Sequence, residues 1–420
     1  MPFLTFLSRL RSDRSGGVLI FTGIGFVSLV GAAGLAVDTA QWYLWRRQLQ
    51  QAVDAGARAG ALSLIQRDGY ESSARREIGR NADNTLNVTI ERVSSPPGSG
   101  GFTGDTGAVE VIASTRQSLP FSSVFIDLAP EIRSRAVATR VSDGEYCVIA
   151  LAPTGIGVRA IGTADVNLGC GVGANSGIQA AIDLTGTSWI DAPSFHAVGG
   201  IDASAKNIPA DAELQPYGVP ITDPLLSREL KVPAKTEGES CIKNYSNQPK
   251  DNVTLSPGRY CGGMTLKGVT NLSPGVYILD GGVLDVASSA SLIGDGVTFI
   301  MTGSGAGNAA SAKIVGGATL DLTAPTGAQN PTWKNILFYQ DPIGSSSEST
   351  FAGGAELDLT GVIYMPNGDV RFTGNSGQSA ECLLLVANHV TFAGTSKLNN
   401  NCTTDYAELD LSASVVKVVE

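Results

Sequence analysis

The sequence predicts a mostly β protein with an α-helical N-terminus: a transmembrane helix and an α+β stalk, then a β-rich domain. Three features predict this class: an uncharged apolar run at residues 17–37, a helical pattern directly after it, and short apolar segments punctuated by Gly beyond residue 146. Only 16 % of the 420 residues are charged, against about 25 % in ordinary soluble domains. Apolar segments continue to the end, so the composition indicates a folded chain.

The apolar run, GVLIFTGIGFVSLVGAAGLAV, is the candidate membrane anchor. As an α-helix it measures about 31 Å, which matches a hydrocarbon core of ~30 Å. It is followed by three aromatic residues placed where an interfacial belt is expected: Trp42, Tyr43 and Trp45. A cleaved signal peptide is the alternative, because the run ends in small residues, but such peptides have apolar regions of about 7–15 residues. The length favours a retained anchor.

The helix is expected to continue past the membrane as an amphipathic stalk, because no Pro occurs from Thr39 to Gln66. Apolar residues recur there at steps of three and four: Trp42, Trp45, Leu49, Val53 and Ala57. The run AVDAGARAGALSL permits close packing of a helix or sheet. Earlier, a stripe of small residues (Ser28, Ala32, Ala36 and Ala40) predicts a homo-oligomer through the membrane helix. Small residues are also common in membrane helices generally, so that alternative stays open.

Residues 14–64 also resemble a known family. They contain Gly-Gly after an Arg, a Gly/Ala-rich span ending in Val-Asp, an aromatic, an Arg-x-Leu-Gln pattern and an Ala-Asp-Ala-like run. This order is similar to the N-terminal region of TadG-like proteins of the Flp, or tight-adherence, pilus system. Pilin-like relatives keep a Glu five residues after the processing Gly, where this chain has Thr22. The resemblance therefore implies a membrane-retained protein involved in assembling or anchoring a pilus.

Residues 87–141 predict a small α+β unit that covers the stalk helix. The segments NVTIERV, AVEVIAST and IRSRAVATRV alternate like strands, and FSSVFIDL has the pattern of a short helix. We therefore divide the chain into three regions. They are a cytoplasmic tail with the anchor (1–38), a membrane-proximal helix with the α+β unit (39–141), and a β-rich ectodomain (142–420).

The β-rich region predicts a parallel β-helix or related β-solenoid. Its strands are short and end in Gly, Asn or Asp turns, and GGATLDLT at residue 316 nearly repeats as GGAELDLT at residue 353. A jelly roll or β-sandwich is the rival architecture. The Pro-, Lys- and Glu-rich stretch at about 205–252 predicts an irregular excursion, packed on the solenoid or linking two halves of it.

Six cysteines are predicted to be structural. None is in a CxxC pair, and sequence neighbours lie about 20 residues apart, which favours three local disulfides in an oxidising compartment: Cys147, Cys170, Cys241, Cys261, Cys382 and Cys402. Six cysteines allow 15 connectivities, so the pairing is a hypothesis. A disulfide framework requires the C-terminal part to lie outside the cytoplasm, which orients the anchor.

No catalytic, cofactor-binding or metal site is predicted. Walker, HExxH, nucleophile-elbow and dinucleotide motifs do not occur, and a net charge of -10 argues against a nucleic-acid partner. His196 and His389 lie in unrelated contexts. The acids that a glycosidase-like pair would need are better explained as solvent-facing repeat positions: Asp280, Asp285, Asp321, Asp358 and Asp369.

The resulting hypothesis is a non-enzymatic, membrane-anchored envelope protein that takes part in Flp-type pilus assembly or anchoring. Its expected location is the bacterial inner membrane, crossed once, with the N-terminus cytoplasmic and the ectodomain periplasmic or surface-facing. Its expected partners are the membrane and pilus-assembly proteins or cell-wall components. The alternative is a membrane-anchored β-helix protein that binds or cleaves polysaccharide, an analogy at the level of fold.

Overall fold

The structure is a computed structural model, and it describes residues 17–420 except 66–68, 83–85, 126–128, 237–238, 344–347, 353–355, 375–376, 381, 396, 401–408 and 410. The chain divides into two compact units. The first comprises Met1–Val141 together with Val416–Glu420, and the second comprises Ser142–Val415. The sequence predicts a boundary near residue 141 and an ectodomain that continues to residue 420. The structure instead assigns the last five residues to the first unit.

The elements lie as follows in chain order. The helices are α1 (Gly17–Ile65) and α2 (Tyr70–Asn81). The strands are β1 (Val88–Ser94), β2 (Ala108–Arg116), β3 (Glu131–Asp143), β4 (Tyr146–Ala150), β5 (Val158–Gly162), β6 (Asp165–Leu168), β7 (Gly171–Ala174), β8 (Ile182–Leu184), β9 (Trp189–Asp191), β10 (Ser194–Ala197), β11 (Ile201–Asp202), β12 (Glu213–Gln215), β13 (Ile242–Ser246), β14 (Asn252–Leu255), β15 (Gly258–Leu266), β16 (Val269–Leu272), β17 (Gly275–Asp280), β18 (Val283–Val286), β19 (Ser291–Asp295), β20 (Val297–Thr302), β21 (Ser311–Ile314), β22 (Thr319–Thr323), β23 (Ile336–Gln340), β24 (Glu348–Ala352), β25 (Glu356–Thr373), β26 (Gly377–Ala380), β27 (Leu383–Gly394), β28 (Lys397–Asn400) and β29 (Ala413–Val418).

The first unit is a four-stranded sheet packed against two helices. The strand order is β1-β2-β3-β29, and β2 pairs antiparallel with both β1 and β3. The three strands predicted from alternation correspond to β1, β2 and β3. The predicted helix in FSSVFIDL is a single 3₁₀ turn at Ser122–Val124, and residues 126–128 of that segment lie outside the described residues. The fourth strand comes from the far end of the sequence.

The second half of α1 forms the core of this unit. Its fully buried residues follow the helical spacing: Leu49, Ala52, Val53, Ala57 and Ala61. Gly56 and Gly60 allow the neighbours to approach closely. A Cβ at Gly56 would lie 2.5 Å from Ile78 Cγ1 of α2, and one at Gly60 would lie 2.9 Å from Val109 Cγ1 of β2. Small residues therefore let this helix pack against both α2 and the sheet.

The first half of α1 presents apolar side chains that the described residues do not cover. Phe21 is 79 % exposed. Other apolar side chains of this half are also exposed, to smaller fractions: Ile24, Phe26, Val27, Leu29, Leu35 and Val37. The helix is long and apolar enough to cross a membrane. Exposed apolar surface of this extent is costly in water, and this half is therefore suited to an apolar environment.

The strands of the second unit stack in three parallel sheets. Each described strand pairs in parallel with one from the next pass of the chain. One stack runs β13-β15-β17-β20-β23-β25-β27, a second runs β14-β16-β19-β22-β25-β26-β28, and a third runs β15-β18-β21-β24-β25-β27. Each pass buries its apolar face only against its neighbours. The predicted class, mostly β with an N-terminal α region, is confirmed, and the pairing is that expected of a solenoid.

The order of the coils in space differs from their order in sequence. The first strands of the unit, β4, β5 and β6, pair with the late strands β27 and β28, for example Leu385 with Val148. Strands β7 to β12 continue the stack beyond them. The chain thus begins in the middle of the stack, winds to one end at β12, and restarts at the other end at β13. The linking segment, residues 216–241, is called the strap below.

A ladder of buried aromatic rings runs through successive coils. Tyr277, Phe299 and Phe338 occupy paired positions on β17, β20 and β23, and Phe351, Phe372 and Phe392 do the same on β24, β25 and β27. Ring centroids lie 5.2 Å apart between Phe299 and Phe338 and 5.6 Å apart between Phe372 and Phe392. All six side chains are fully buried. Rings at such spacing add about 0.5–1.5 kcal/mol per pair beyond area burial.

Candidate functional site

A buried aspartate joins α1 to the loop between β2 and β3. Asp38 follows the apolar run directly and is 3 % exposed. Its carboxylate accepts hydrogen bonds from Phe121 N at 2.8 Å and from Ser122 N at 2.6 Å, and also from the Ser122 hydroxyl. We call this arrangement the helix clasp. A buried charge is tolerated only when it is hydrogen-bonded, and here three donors meet that need.

A second charged cluster ties the final residue of the sequence to the small sheet. Arg135 on β3 donates from Nε to Glu110 Oε1 at 2.7 Å and from Nη1 to Glu420 Oε2 at 2.7 Å. Gly101 N donates to Glu420 Oε1 at 2.6 Å. Burial raises the pKa of Glu110, but hydrogen bonds from Arg135, Gly98 N and the Ser99 hydroxyl, with the charge of Arg135, outweigh it and the pKa lies below the ordinary value.

The strap, residues 216–241, runs along the stack and is bonded to coil after coil. Near its start, Ile221 N donates to Asn175 Oδ1 at 2.8 Å. Further on, the Tyr364 hydroxyl donates to Asp223 Oδ2 at 2.7 Å. The Tyr339 hydroxyl then donates to the Leu230 carbonyl at 3.1 Å. Burial, followed by the negative charges of two nearby aspartates, raises the pKa of Tyr339 to about 12.

The end of the strap is held by a buried arginine. The Arg259 side chain is 5 % exposed and pairs with Glu239 and Asp280, each at 3.2 Å. Its Nη2 also donates to the Pro233 carbonyl at 2.7 Å. The pKa of Glu239 is lowered, chiefly by the hydrogen bond from Thr236 N and then by Arg259, against a smaller opposing effect of burial. The strap is therefore a packed structural segment along the described coils.

Two disulfides each link one coil to the next. Cys147 joins Cys170 with a Cα–Cα distance of 5.7 Å, and Cys241 joins Cys261 at 5.9 Å. Both link neighbouring cysteines, the pattern hypothesised from spacing. Cys382 is also disulfide-bonded, and Cys402 lies outside the described residues. The Cys147–Cys170 bond links the first coils of the second unit. The Cys241–Cys261 bond lies in the coil that follows the strap.

The aromatic residues of the predicted belt lie on α1 just beyond the clasp. Tyr43 is 60 % exposed, whereas Trp42 and Trp45 are half-buried. The Arg46 guanidinium lies 5.6 Å from the Trp42 ring centroid, within the range of a cation–π contact. The belt itself remains a prediction.

The structure brings together two of the five singled-out acids. Asp321 on β22 and Asp358 on β25 occupy paired positions, so the near-repeat is one coil stacked on another in register. The leucines on either side of each aspartate point inward and are buried, and both aspartates are exposed. The other three lie elsewhere: Asp280 pairs with Arg259, Asp285 lies opposite Lys313 in the parallel register, and Asp369 pairs with His389.

Both histidines are hydrogen-bonded within the fold. His196 is fully buried, with Nε2 2.6 Å from the Val219 carbonyl and Nδ1 3.2 Å from Gln215 Oε1. His389 Nδ1 lies 2.8 Å from Asp369 Oδ1. Among the described residues, no group of three His, Cys, Asp or Glu side chains is placed to hold a metal ion.

Sequence reasoning missed the helix clasp and the Arg135 cluster. For the clasp a signal existed, since Asp38 is the first charge after the uncharged run. For the cluster none existed, because Arg135 and Glu420 are separated by 285 positions. Contacts between such distant residues depend on the tertiary fold.

The fold defines a class: a β-rich protein in which the described residues include an apolar N-terminal helix long enough to span a membrane. Within it, residues 16–63 match the family described as putative Flp pilus-assembly TadE/G-like. This match confirms the resemblance predicted from the N-terminal residues. It covers most of α1, including Asp38, and stops before the sheet and the stacked coils. No curated protein and no solved structure shows significant similarity to the chain.

Proposed function

We propose that this chain is a membrane-anchored structural or interaction protein that takes part in the assembly or anchoring of Flp-type pili. The family match over residues 16–63 carries the proposal, because it coincides with the helix that links the apolar run to the folded first unit. In this proposal α1 anchors, the small sheet fixes the helix where it leaves the membrane, and the stacked coils contact pilus or cell-wall components.

The proposed topology is a single crossing of the inner membrane, with the N-terminus in the cytoplasm and both folded units in the periplasm or facing the surface. Two observations support it. The exposed apolar half of α1 is suited to a hydrocarbon environment, and disulfides persist outside the reducing cytoplasm.

We propose a scaffold role for the β-rich unit rather than catalysis. The six ladder rings fill the core, so they are not available as surface stacking platforms for sugars. Asp321 and Asp358 point outward from a repeat whose leucines build the core, which is how a solenoid places polar positions. Polysaccharide binding or cleavage therefore remains the alternative prediction, and no contact among the described residues favours it over the scaffold role.

The test is deletion of the gene in its host, scored by surface filaments and adherence to a solid surface. Because Tyr146 N donates to the Leu411 carbonyl at 2.9 Å, the two ends of the second unit lie together. A short Gly/Ser linker in place of residues 146–411 should thus preserve the first unit. Loss of both phenotypes, restored by the full chain and not by the linker variant, supports the proposal. Normal filaments and adherence in the deletion strain would contradict it.

The polysaccharide alternative is tested separately with the purified full chain and envelope polysaccharides. Turnover that is abolished in Asp321→Ala or Asp358→Ala would replace the scaffold proposal with an enzymatic one. Asp285→Ala, which removes a charge of the same sign on a different stack of the same unit, is the matched control for nonspecific charge effects.

A further inference from the structure

The loop between β2 and β3 carries two large apolar side chains in the open. Val124 is 75 % exposed and Phe125 is 74 % exposed. Their neighbour Phe121 packs on α1: a Cβ added to Gly34 would lie 2.3 Å from the Phe121 ring. Gly34 is part of the apolar run 17–37, so Phe121 lies beside the segment that is suited to an apolar environment.

The position of the contact along α1 sets its depth. Gly34 precedes Trp42 by eight residues, which corresponds to about 12 Å along a helix. Because the apolar run ends at Val37, Gly34 lies about 4.5 Å inside the end of the segment that would fill the hydrocarbon core. Phe121 therefore lies just inside the core surface, with the aromatic residues 42–45 at the membrane interface beyond it. The exposed surface of Val124 and Phe125 is thus continuous with that of the helix.

The backbone of this loop is also suited to an apolar environment. Irregular backbone is excluded from lipid because its N–H groups lack partners. Here all five N–H groups of residues 121–125 are bonded. Phe121 N and Ser122 N donate to Asp38. The next three donate to backbone carbonyls within the loop: Ser123 to Leu119, Val124 to Phe121 and Phe125 to Ser122.

The base of the loop is polar. Arg116 at the end of β2 pairs with Glu131 at the start of β3 at 3.0 Å, and both side chains are exposed. The described residues of the loop therefore pass from a charged pair at its base to the apolar surface of Val124 and Phe125, the profile of a segment seated in a membrane interface.

We propose that residues 121–125 of the β2–β3 loop form a second membrane contact, in which Val124 and Phe125 insert into the lipid beside α1 while Asp38 accepts hydrogen bonds from two of the backbone N–H groups of this segment. The proposal rests on the membrane-spanning role proposed for α1. It commits the surface to lipid rather than to another protein, because the surface continues the lipid-facing side of the helix. The proposal also gives the helix clasp a function, because the clasp would hold the first unit at a fixed height on the bilayer.

The experiment is photo-crosslinking of the full chain, reconstituted in vesicles of phosphatidylethanolamine and phosphatidylglycerol with a trace of radiolabelled lipid. The crosslinker p-benzoylphenylalanine replaces Phe125; it keeps the phenyl ring and adds a para-benzoyl group, for which the 74 % exposed position has room. Leu29, exposed in the middle of the apolar run, is the positive control, and Leu226, 67 % exposed in the second unit, is the negative control. We expect lipid labelling at positions 125 and 29 within about threefold of each other and at least tenfold above position 226.

The outcomes separate the two proposals. Labelling at 29 with background at 125 would overturn the loop contact and leave the spanning helix standing. Background at both positions would overturn both. A crosslink from position 125 to a second copy of the chain instead of lipid, or equal labelling at 125 and 226, would also overturn the loop contact.

Discussion

Arg135 Nη1 lies 2.7 Å from Glu420 Oε2, so the final residue of the sequence is fastened to β3. The same guanidinium bonds Glu110, whose side chain is fully buried. In the sequence, the second unit lies between β3 and β29, which are neighbouring strands of the sheet in the first unit. This arrangement makes the cluster a clamp that joins the C-terminal segment of the first unit to β3.

Replacing the clamp arginine should destabilise the first unit strongly. Arg135→Met leaves the buried carboxylate of Glu110 without its main partner, which should lower the free energy of unfolding by roughly 2–3 kcal/mol. Arg133→Met is the matched control on the same strand. Its partner is Glu91 and its side chain is 61 % exposed, so we expect a loss of at most about 1 kcal/mol. Denaturant unfolding measures both, and equal losses would contradict the clamp.

The clamp should also make stability depend on pH in a defined direction. The pKa of Glu110 and the pKa of Glu420 are both lowered in the folded state; for Glu420 the hydrogen bond from Arg135 is the main cause. These carboxylates thus contribute stability that is fully present above the ordinary glutamate pKa of 4.5 and is lost as pH falls through the folded value. Melting temperature should drop below about pH 4.5, and less steeply in Glu110→Gln. If melting temperature depends on pH in the same way in the wild-type chain and in Glu110→Gln, the protonation of Glu110 does not control stability.

Truncating one ring of the ladder should cost more than truncating an exposed aliphatic. Phe338→Ala removes a fully buried ring that stacks on Phe299, and core Phe→Ala changes cost about 3–5 kcal/mol. Ile293→Ala, at a 39 % exposed position on β19, should cost less than about 1 kcal/mol. The comparison is made by thermal or denaturant unfolding of the full chain. Similar losses of unfolding free energy in both variants would show that the aromatic ladder does not contribute to stability.

Removing one hydroxyl should loosen the strap. Tyr364→Phe deletes the hydrogen bond to Asp223 and should weaken the local attachment by about 1–1.5 kcal/mol. Native-state proteolysis within residues 216–241 should then proceed about tenfold faster. Tyr217→Phe, at a 75 % exposed position at the start of the strap, should leave the rate unchanged. An unchanged rate in Tyr364→Phe would mean that the strap does not depend on this bond.

The disulfide at the restart of the stack should contribute measurably to stability. Cys241 and Cys261 close a loop with a sequence separation of 20, for which chain entropy gives about 3 kcal/mol. Replacing both by Ser should lower the melting temperature by several degrees, and reduction with alkylation of the whole chain should lower it further. If reduction leaves the melting temperature unchanged, the cysteines do not act as structural staples.

Local patterns predicted individual elements well because they depend on neighbours in sequence. Alternation located β1, β2 and β3, and the Leu-Asp-Leu near-repeat located two coils that pair in register. Patterns failed where a partner lies far away in the chain. The ladder residues Phe351, Phe372 and Phe392 recur at spacings of 21 and 20 residues. This repeat is present in the sequence, but it is hard to recognise because other coils have different lengths.

The sequence by itself determined the apolar helix, the family resemblance of its N-terminal region, the short parallel strands and the cysteine spacing, since each follows from hydropathy, turn chemistry or local order. Only the tertiary structure decided that β4 stacks on β27, that the strap carries the chain back along the coils, and that β29 completes the first sheet. The physical reason is that parallel strand pairing satisfies the same backbone groups in any order of coils. Long-range contacts such as that of Tyr364 with Asp223 favour this order of the coils, and the contact of Arg135 with Glu420 holds the last residue at the first sheet.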